Sequence, residues 1–285
     1  MPTPLRPIMT AILLLLAGGP APARDFRVGE PPRSWGLDPF YRKCIEVDGL
    51  PIVSSAEVSD YALKEAAYLV DRMLAGRRDL IDVMVRDQVR VAVMAYSERT
   101  VDIPEHRDLQ PPAFWNRRAR GLGGRTTSCG EENLLNFPGD PYDGENILIH
   151  EFAHCIHSQG LARLDPGFDP RLKSTYDAAL ARGLWKGTYA ASNPAEYWAE
   201  GVQSWFGTNR HDDNAHNHVD TRAELRAYDP ALAALIAEAF PNNDFTYVRP
   251  DRRSDLGHLA GYDPKAAPRF SWRADETGQR DDPPR

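Results

Sequence analysis

Three cysteines among 285 residues allow at most one intrachain disulfide, so no covalent framework can stand in for a packed core. Long runs of one charge are also missing. Forty-one Asp and Glu are interspersed with 34 Lys and Arg, for a formal net charge of -7. That pattern gives no footprint for nucleic acid or an anionic membrane and argues only for solubility. No internal repeat recurs. After the apolar stretch at residues 8–17 no second one of its kind follows, so stable membrane insertion is not expected. Residues 1–23 read as a signal peptide. Arg6 supplies the positive start, Leu13 to Leu16 the apolar centre, and Ala21-Pro22-Ala23 the small residues before a cut after Ala23. The expected destination is outside the cytoplasm, secreted or periplasmic.

What remains is ordinary in composition, 42% apolar and 26% charged, and fits one α+β domain over residues 24–263. Residues 264–285 turn to Pro, Arg and Asp and are expected to form a disordered tail. Export permits a disulfide, and Cys44 with Cys129 is the pair to join, because Cys155 falls on an apolar helical arc as a buried thiol.

The elements follow from periodicity and punctuation. Residues 44–47 and 50–53 flank Asp48-Gly49 as a hairpin, and 89–96 alternates as a strand. Helices are expected over about 58–74, 81–85, 170–181, 193–206 and 231–240, with a short strand at 245–248. The stretch 97–140 lacks either period and reads as a long irregular segment of the kind that lines clefts, with His106 on its surface.

One run carries chemistry. In Glu145-Asn146-Ile147-Leu148-Ile149-His150-Glu151-Phe152-Ala153-His154-Cys155-Ile156-His157, the apolar residues fill one helical arc of roughly 160°. His150, Glu151, His154 and His157 face the other way. Two histidines four apart stand one turn, ~6 Å, above each other, so their rings can converge on one ion. A glutamate beside the first can act on a metal-bound water. Asp140-Pro141 is expected to cap this helix and Gly160 to end it. His157 is too far along the axis, about 10.5 Å from His150, to share the ion. A glycine at 157 and a histidine at 160 would mark a three-histidine scheme, and both positions hold the wrong residue.

The third ligand must then come from elsewhere. The helix opened by Asn193-Pro194 puts Trp198, Val202, Trp205 and Phe206 on one arc and Glu196, Glu200 and Gln203 on the opposite one. Either glutamate can reach an ion on geometry alone. The ligand-then-orienter order of glutamate-zinc peptidases favours Glu196 as ligand, with Glu200 accepting a hydrogen bond from a ligand histidine. His211, His216 and His218 read as a solvated loop, since no rigid element fixes their spacing.

Tyr189-Ala-Ala-Ser-Asn193-Pro-Ala-Glu196-Tyr-Trp-Ala-Glu200, forty-odd residues after His150-Glu-Phe-Ala-His154, resembles the catalytic domain of anthrax toxin lethal factor and its relatives. The resemblance spans residues 140–207 in its motifs. It implies a zincin-like metallopeptidase fold, a small mixed sheet on the metal-binding helix above a mostly helical lower half. It also implies Zn²⁺ on His150, His154 and Glu196, Glu151 as general base, and Tyr189 supporting the oxyanion, with Tyr176 and Tyr197 as rival tyrosines. The large N-terminal toxin regions have no counterpart here, so a toxin role and its substrates are not implied. The expected activity is a secreted metalloendopeptidase acting on peptide or protein. The rival is a catalytically inactive binding protein on the same scaffold, which needs a blocked cleft or a filled fourth position.

Overall fold

A computed structural model of the chain describes residues 24–273. The expected signal peptide, 1–23, and the last part of the expected tail, 274–285, lie outside the described residues. The architecture is α+β, with one five-stranded mixed sheet covered by helices.

Strands β1 (Lys43–Val47) and β2 (Leu50–Ser54) pair antiparallel through a turn at Asp48 and Gly49, whose φ values of 50° and 97° suit the two-residue hairpin. Helix α1 (Asp60–Met73), capped by the Ser59 hydroxyl on the Tyr61 N–H, and helix α2 (Arg78–Arg86) then return the chain to β3 (Arg90–Met94), parallel to β2. After helix α3 (Pro112–Arg118) come β4 (Gly121–Leu122), β5 (Thr126–Gly130) and the short α4 (Glu131–Leu134). The strand order is β1-β2-β3-β5-β4, with β5 parallel to β3 and β4 an antiparallel edge.

Residues 97–140 are therefore not one irregular segment. β5 is an interior strand whose five residues are all buried, yet it reads Thr-Thr-Ser-Cys-Gly and shows no apolar alternation. His106 is likewise not on the surface. It is 8% exposed, with Nε2 3.0 Å from Ser128 Oγ, and burial lowers its pKa. Cys44 and Cys129 are free and buried, as is Cys155. The expected bridge fails because Cys44 sits on edge strand β1 and Cys129 on β5, with β2 and β3 between them. Three strand spacings amount to ~14 Å, twice the reach of a disulfide.

Helix α5 (Ile147–Cys155) crosses beneath the sheet against β5, and it packs along α8 (Pro194–Phe206). Its cap is Asn146, which accepts from the Ile149 N–H at 3.0 Å, rather than Asp140. Asn133 explains the delay. Its Oδ1 accepts from the Ile147 N–H, while its Nδ2 donates to Asp140 and to the Glu145 carbonyl, folding 140–146 into a loop. Gly160 does not end the helix either. A π-helical stretch (Ile156–Leu161) and α6 (Ala162–Leu164) carry it on, and a Cβ at Gly160 would lie 2.8 Å from Leu80 Cδ2. The glycine is there for close approach to α2.

The lower half is helical: α7 (Phe168–Ala181), α8, α9 (Arg222–Tyr228) and α10 (Pro230–Ala239). Trp198, Phe206, Leu232, Ile236 and Phe240 form its buried centre. Residues 245–248 form no strand and join no sheet; the Tyr247 N–H donates to the Phe206 carbonyl at 2.7 Å. Residues 264–273, expected in the tail on composition, lie on the domain. Phe270 is 4% exposed, and its N–H donates to the Pro138 carbonyl. No helix among the described residues is long and apolar enough to cross a membrane.

Candidate metal centre

The apolar arc of α5 is buried as its pattern dictates: Leu148, Ile149, Phe152, Ala153, Cys155 and Ile156 are all inaccessible. His150, Glu151 and His154 are thereby turned towards α8 and β4. On α8, Asn193 caps the helix by accepting from the Ala195 and Glu196 N–H groups, and Pro194 takes the first position. The Trp198 indole N–H donates to the Ala153 carbonyl at 2.9 Å and ties the two helices together one turn from the site.

Three donor atoms meet between the helices. His150 Nε2 and His154 Nε2 are 3.1 Å apart; Glu196 Oε2 is 3.1 Å from the first and 3.3 Å from the second. Two donors bound to one Zn²⁺ at 2.0–2.1 Å with tetrahedral angles are separated by about 3.3 Å, so the triangle fits that ion. The ligand atoms of His150, Glu151 and His154 lie within 4.8 Å of one another, which puts the Glu151 carboxylate beside the triangle.

Electrostatics favour positive charge here. Burial opposes an imidazolium at His150, but hydrogen bonds to Glu196 and Glu200 outweigh it and raise its pKa well above the ordinary value. Burial would raise the Glu196 pKa, yet His150 and His154 pull it far below the usual carboxylate range. Glu151 behaves differently. Burial is the largest effect and raises it, against the two histidines and the Gly123 N–H.

A polar chain behind the triangle fixes which ring nitrogen is free. The Arg210 guanidinium pairs with Glu145 Oε1 at 2.8 Å, and Glu145 Oε2 accepts from Gln203 Nε2. The amide therefore turns its oxygen to His150 Nδ1, 2.8 Å away. Nδ1 therefore carries a hydrogen, so Nε2, which faces Glu196 and His154, is the nitrogen that a neutral imidazole would offer to an ion. Glu200 Oε1 is a second, longer acceptor for Nδ1 at 3.4 Å.

Motif spacing alone does not reveal Gln203 in this role, although it shares the arc of Glu196 and Glu200. His216, expected in a solvated loop, is not in solvent. Its side chain is only 9% exposed, with Nε2 3.5 Å from Glu200 Oε2 and Nδ1 2.7 Å from Asp213 Oδ1. The neighbouring Ala215 carbonyl accepts the Tyr189 N–H at 2.7 Å. His211, more than half exposed, pairs with Asp220, and His218 meets the Tyr228 ring edge-on. His157 Nε2 lies 2.7 Å from Asp169 Oδ1, and the ring faces the cleft.

Of the three tyrosines, Tyr189 stands at the triangle. Its ring lies 6.3 Å from that of His150, and burial, then the Glu196 charge, raise its pKa, so it is a neutral donor. Tyr176 spends its hydroxyl on the Ala191 carbonyl, and Tyr197 is buried with its hydroxyl on Asp229. In front lies an open cleft of about 490 Å³, walled by Trp115, Arg118, Leu122, Tyr142, Ile147 and Tyr189 above His150, Glu151, His154 and Glu196.

No family model matches the sequence, and no curated protein matches it. Among solved structures, the chain is similar to the Pro-Pro endopeptidase PPEP-2 from Paenibacillus alvei. The two are 18% identical with a TM-score of 0.47, over 66% of this chain and 97% of that one.

Proposed function

We propose that the protein is an exported zinc-dependent metallopeptidase of zincin-like fold. The reading rests on one observation: two imidazole nitrogens and one carboxylate oxygen form a triangle with 3.1–3.3 Å edges at the floor of an open cleft, with a second carboxylate beside it. The lethal factor-like order of residues assigns the roles within it. His150, His154 and Glu196 hold Zn²⁺, and Gln203 and Glu200 orient His150.

Zinc bound there supplies a Lewis acid that acidifies water and polarises a carbonyl. Glu151 accepts a proton from the attacking water and returns it to the leaving amine; burial raises its pKa and suits it to both steps. Tyr189 donates its hydroxyl hydrogen to the carbonyl oxygen as negative charge develops. The peptide backbone lies in the cleft between β4 and the turn at Tyr189–Ala191.

Purified protein should contain one zinc per chain and hydrolyse a denatured general protein substrate, and chelator should stop it. Glu151→Gln should keep the zinc and lose at least ~10²-fold in turnover. Retained hydrolysis by Glu151→Gln refutes the base assignment. Zinc without hydrolysis in the wild type would favour the non-catalytic alternative, which the open cleft argues against.

A further inference from the structure

Resting on the peptidase reading, we infer that Arg118 is a specificity residue and that the cleft selects peptides carrying a carboxylate close to the scissile bond. The carboxylate is either an acidic side chain or a free C-terminus. Among the 17 residues that line the cleft, Arg118 is the one lysine or arginine. The two carboxylates there are already engaged, since Glu196 lies on both histidines and Glu151 stands beside them.

The main chain at Arg118 is fixed. It ends α3, its carbonyl accepts the Tyr142 hydroxyl, and the next N–H, at Ala119, donates to the Trp115 carbonyl at 2.9 Å. Its guanidinium has no carboxylate partner among the described residues and rests over the Phe114 ring, 5.8 Å from the centroid. By contrast Arg210, behind the site, is paired with Glu145. A planar guanidinium carried on a fixed main chain, with no carboxylate partner and lining the cleft, suits bidentate binding of a carboxylate.

Charge balance points the same way. With Zn²⁺ in place, Glu151 and Glu196 cancel the ion, and Arg118 leaves the cleft one charge positive. The chain's net charge of -7 offers an acidic peptide no general attraction and is largely screened beyond ~8 Å, so any attraction has to be local. Arg118 and Tyr189 line the same cleft above His150, Glu151, His154 and Glu196, so its charge faces the space a bound peptide would occupy. Trp115, Leu122 and Ile147 add an apolar wall, so an apolar residue next to the acid should improve the fit.

The test is a set of matched peptides with Glu, Gln or Lys walked through the positions around the cut, each made with a free and an amidated C-terminus. For the wild type, kcat/KM should favour a carboxylate over its amide about tenfold, mainly through KM. Whether the Glu/Gln pair or the acid/amide terminus shows the preference tells which carboxylate is read. R118Q should bring that ratio to about one, R118K should restore part of it, and R118E should turn the preference towards Lys, with zinc content checking that each variant folds. The same ratios read as binding to zinc-loaded Glu151→Gln protein keep this test separate from hydrolysis. Failure of every peptide to be cut would sink the peptidase reading alone. No carboxylate preference in wild-type binding, or a ratio unchanged in R118Q, would overturn the inference.

Discussion

Gly123→Ala is the substitution that most sharply probes how the sheet edge packs on α5, which carries His150, Glu151 and His154. A Cβ at Gly123 would lie 2.7 Å from His154 Cβ, 3.0 Å from the Glu151 carbonyl and 3.2 Å from Glu151 Oε2. Carbon atoms prefer 3.5–4.0 Å, and His154 Cβ belongs to a helix pinned by Trp198, so about 1 Å of retreat must come from the edge strand. Overpacking of that kind costs about 1–3 kcal/mol. The retreat also draws the Gly123 N–H away from the Glu151 carboxylate, whose charged form that N–H favours. With Glu151 and His154 crowded in this way, kcat should fall roughly 10- to 100-fold while zinc stays bound. Turnover and zinc content of Gly123→Ala should be measured beside Gly29→Ala, where an added Cβ meets nothing within 4 Å. A Gly123→Ala protein with wild-type kcat and melting temperature would refute the packing argument.

His216→Ala removes one of two contacts on Glu200 Oε2, the other being the Asn209 Nδ2 hydrogen bond at 3.1 Å. Zinc affinity should fall about tenfold in competition with a chromogenic chelator, and an unchanged affinity would show the loop to be passive. Burial raises the Asp140 pKa to about 6 from 3.8, so the folded state holds its proton more tightly than the unfolded one. Stability then falls as pH rises from about 4 to about 6, by at most about 3 kcal/mol, and Asp140→Asn should flatten that slope in urea titrations. All three thiols are buried and unpaired, so a thiol reagent should label none in the native protein and three after denaturation. Labelling of only one on denaturation would restore the Cys44–Cys129 bridge.

The two helices of the site are legible in the sequence because each states its facing in its own residues. Leu148, Phe152 and Ile156 mark the buried side of α5, and Asn193-Pro194 marks the start of α8. β5 is not legible. Thr127 bonds the Gly124 carbonyl and Ser128 meets His106, so a strand whose residues are all buried carries no hydrophobic signal. α5 starts later than Asp140-Pro141 suggests, because that pair has the local signature of a cap while the contact that overrides it comes from Asn133. His216 is hidden for a similar reason: its partner, Glu200, lies on another element and leaves no spacing to read. Gln203 does have a signal, a side chain on the carboxylate arc. An amide among ligand candidates nonetheless reads as filler until its oxygen is seen on a ring nitrogen.

An anomalous-difference map from crystals of the zinc-loaded protein, collected at the zinc absorption edge, addresses the pairing of α5 with α8 directly. One strong peak is expected about 2 Å from His150 Nε2, His154 Nε2 and a Glu196 carboxylate oxygen. A peak held by the two histidines with Glu200 in place of Glu196, or no peak between the two helices, would contradict the assignment.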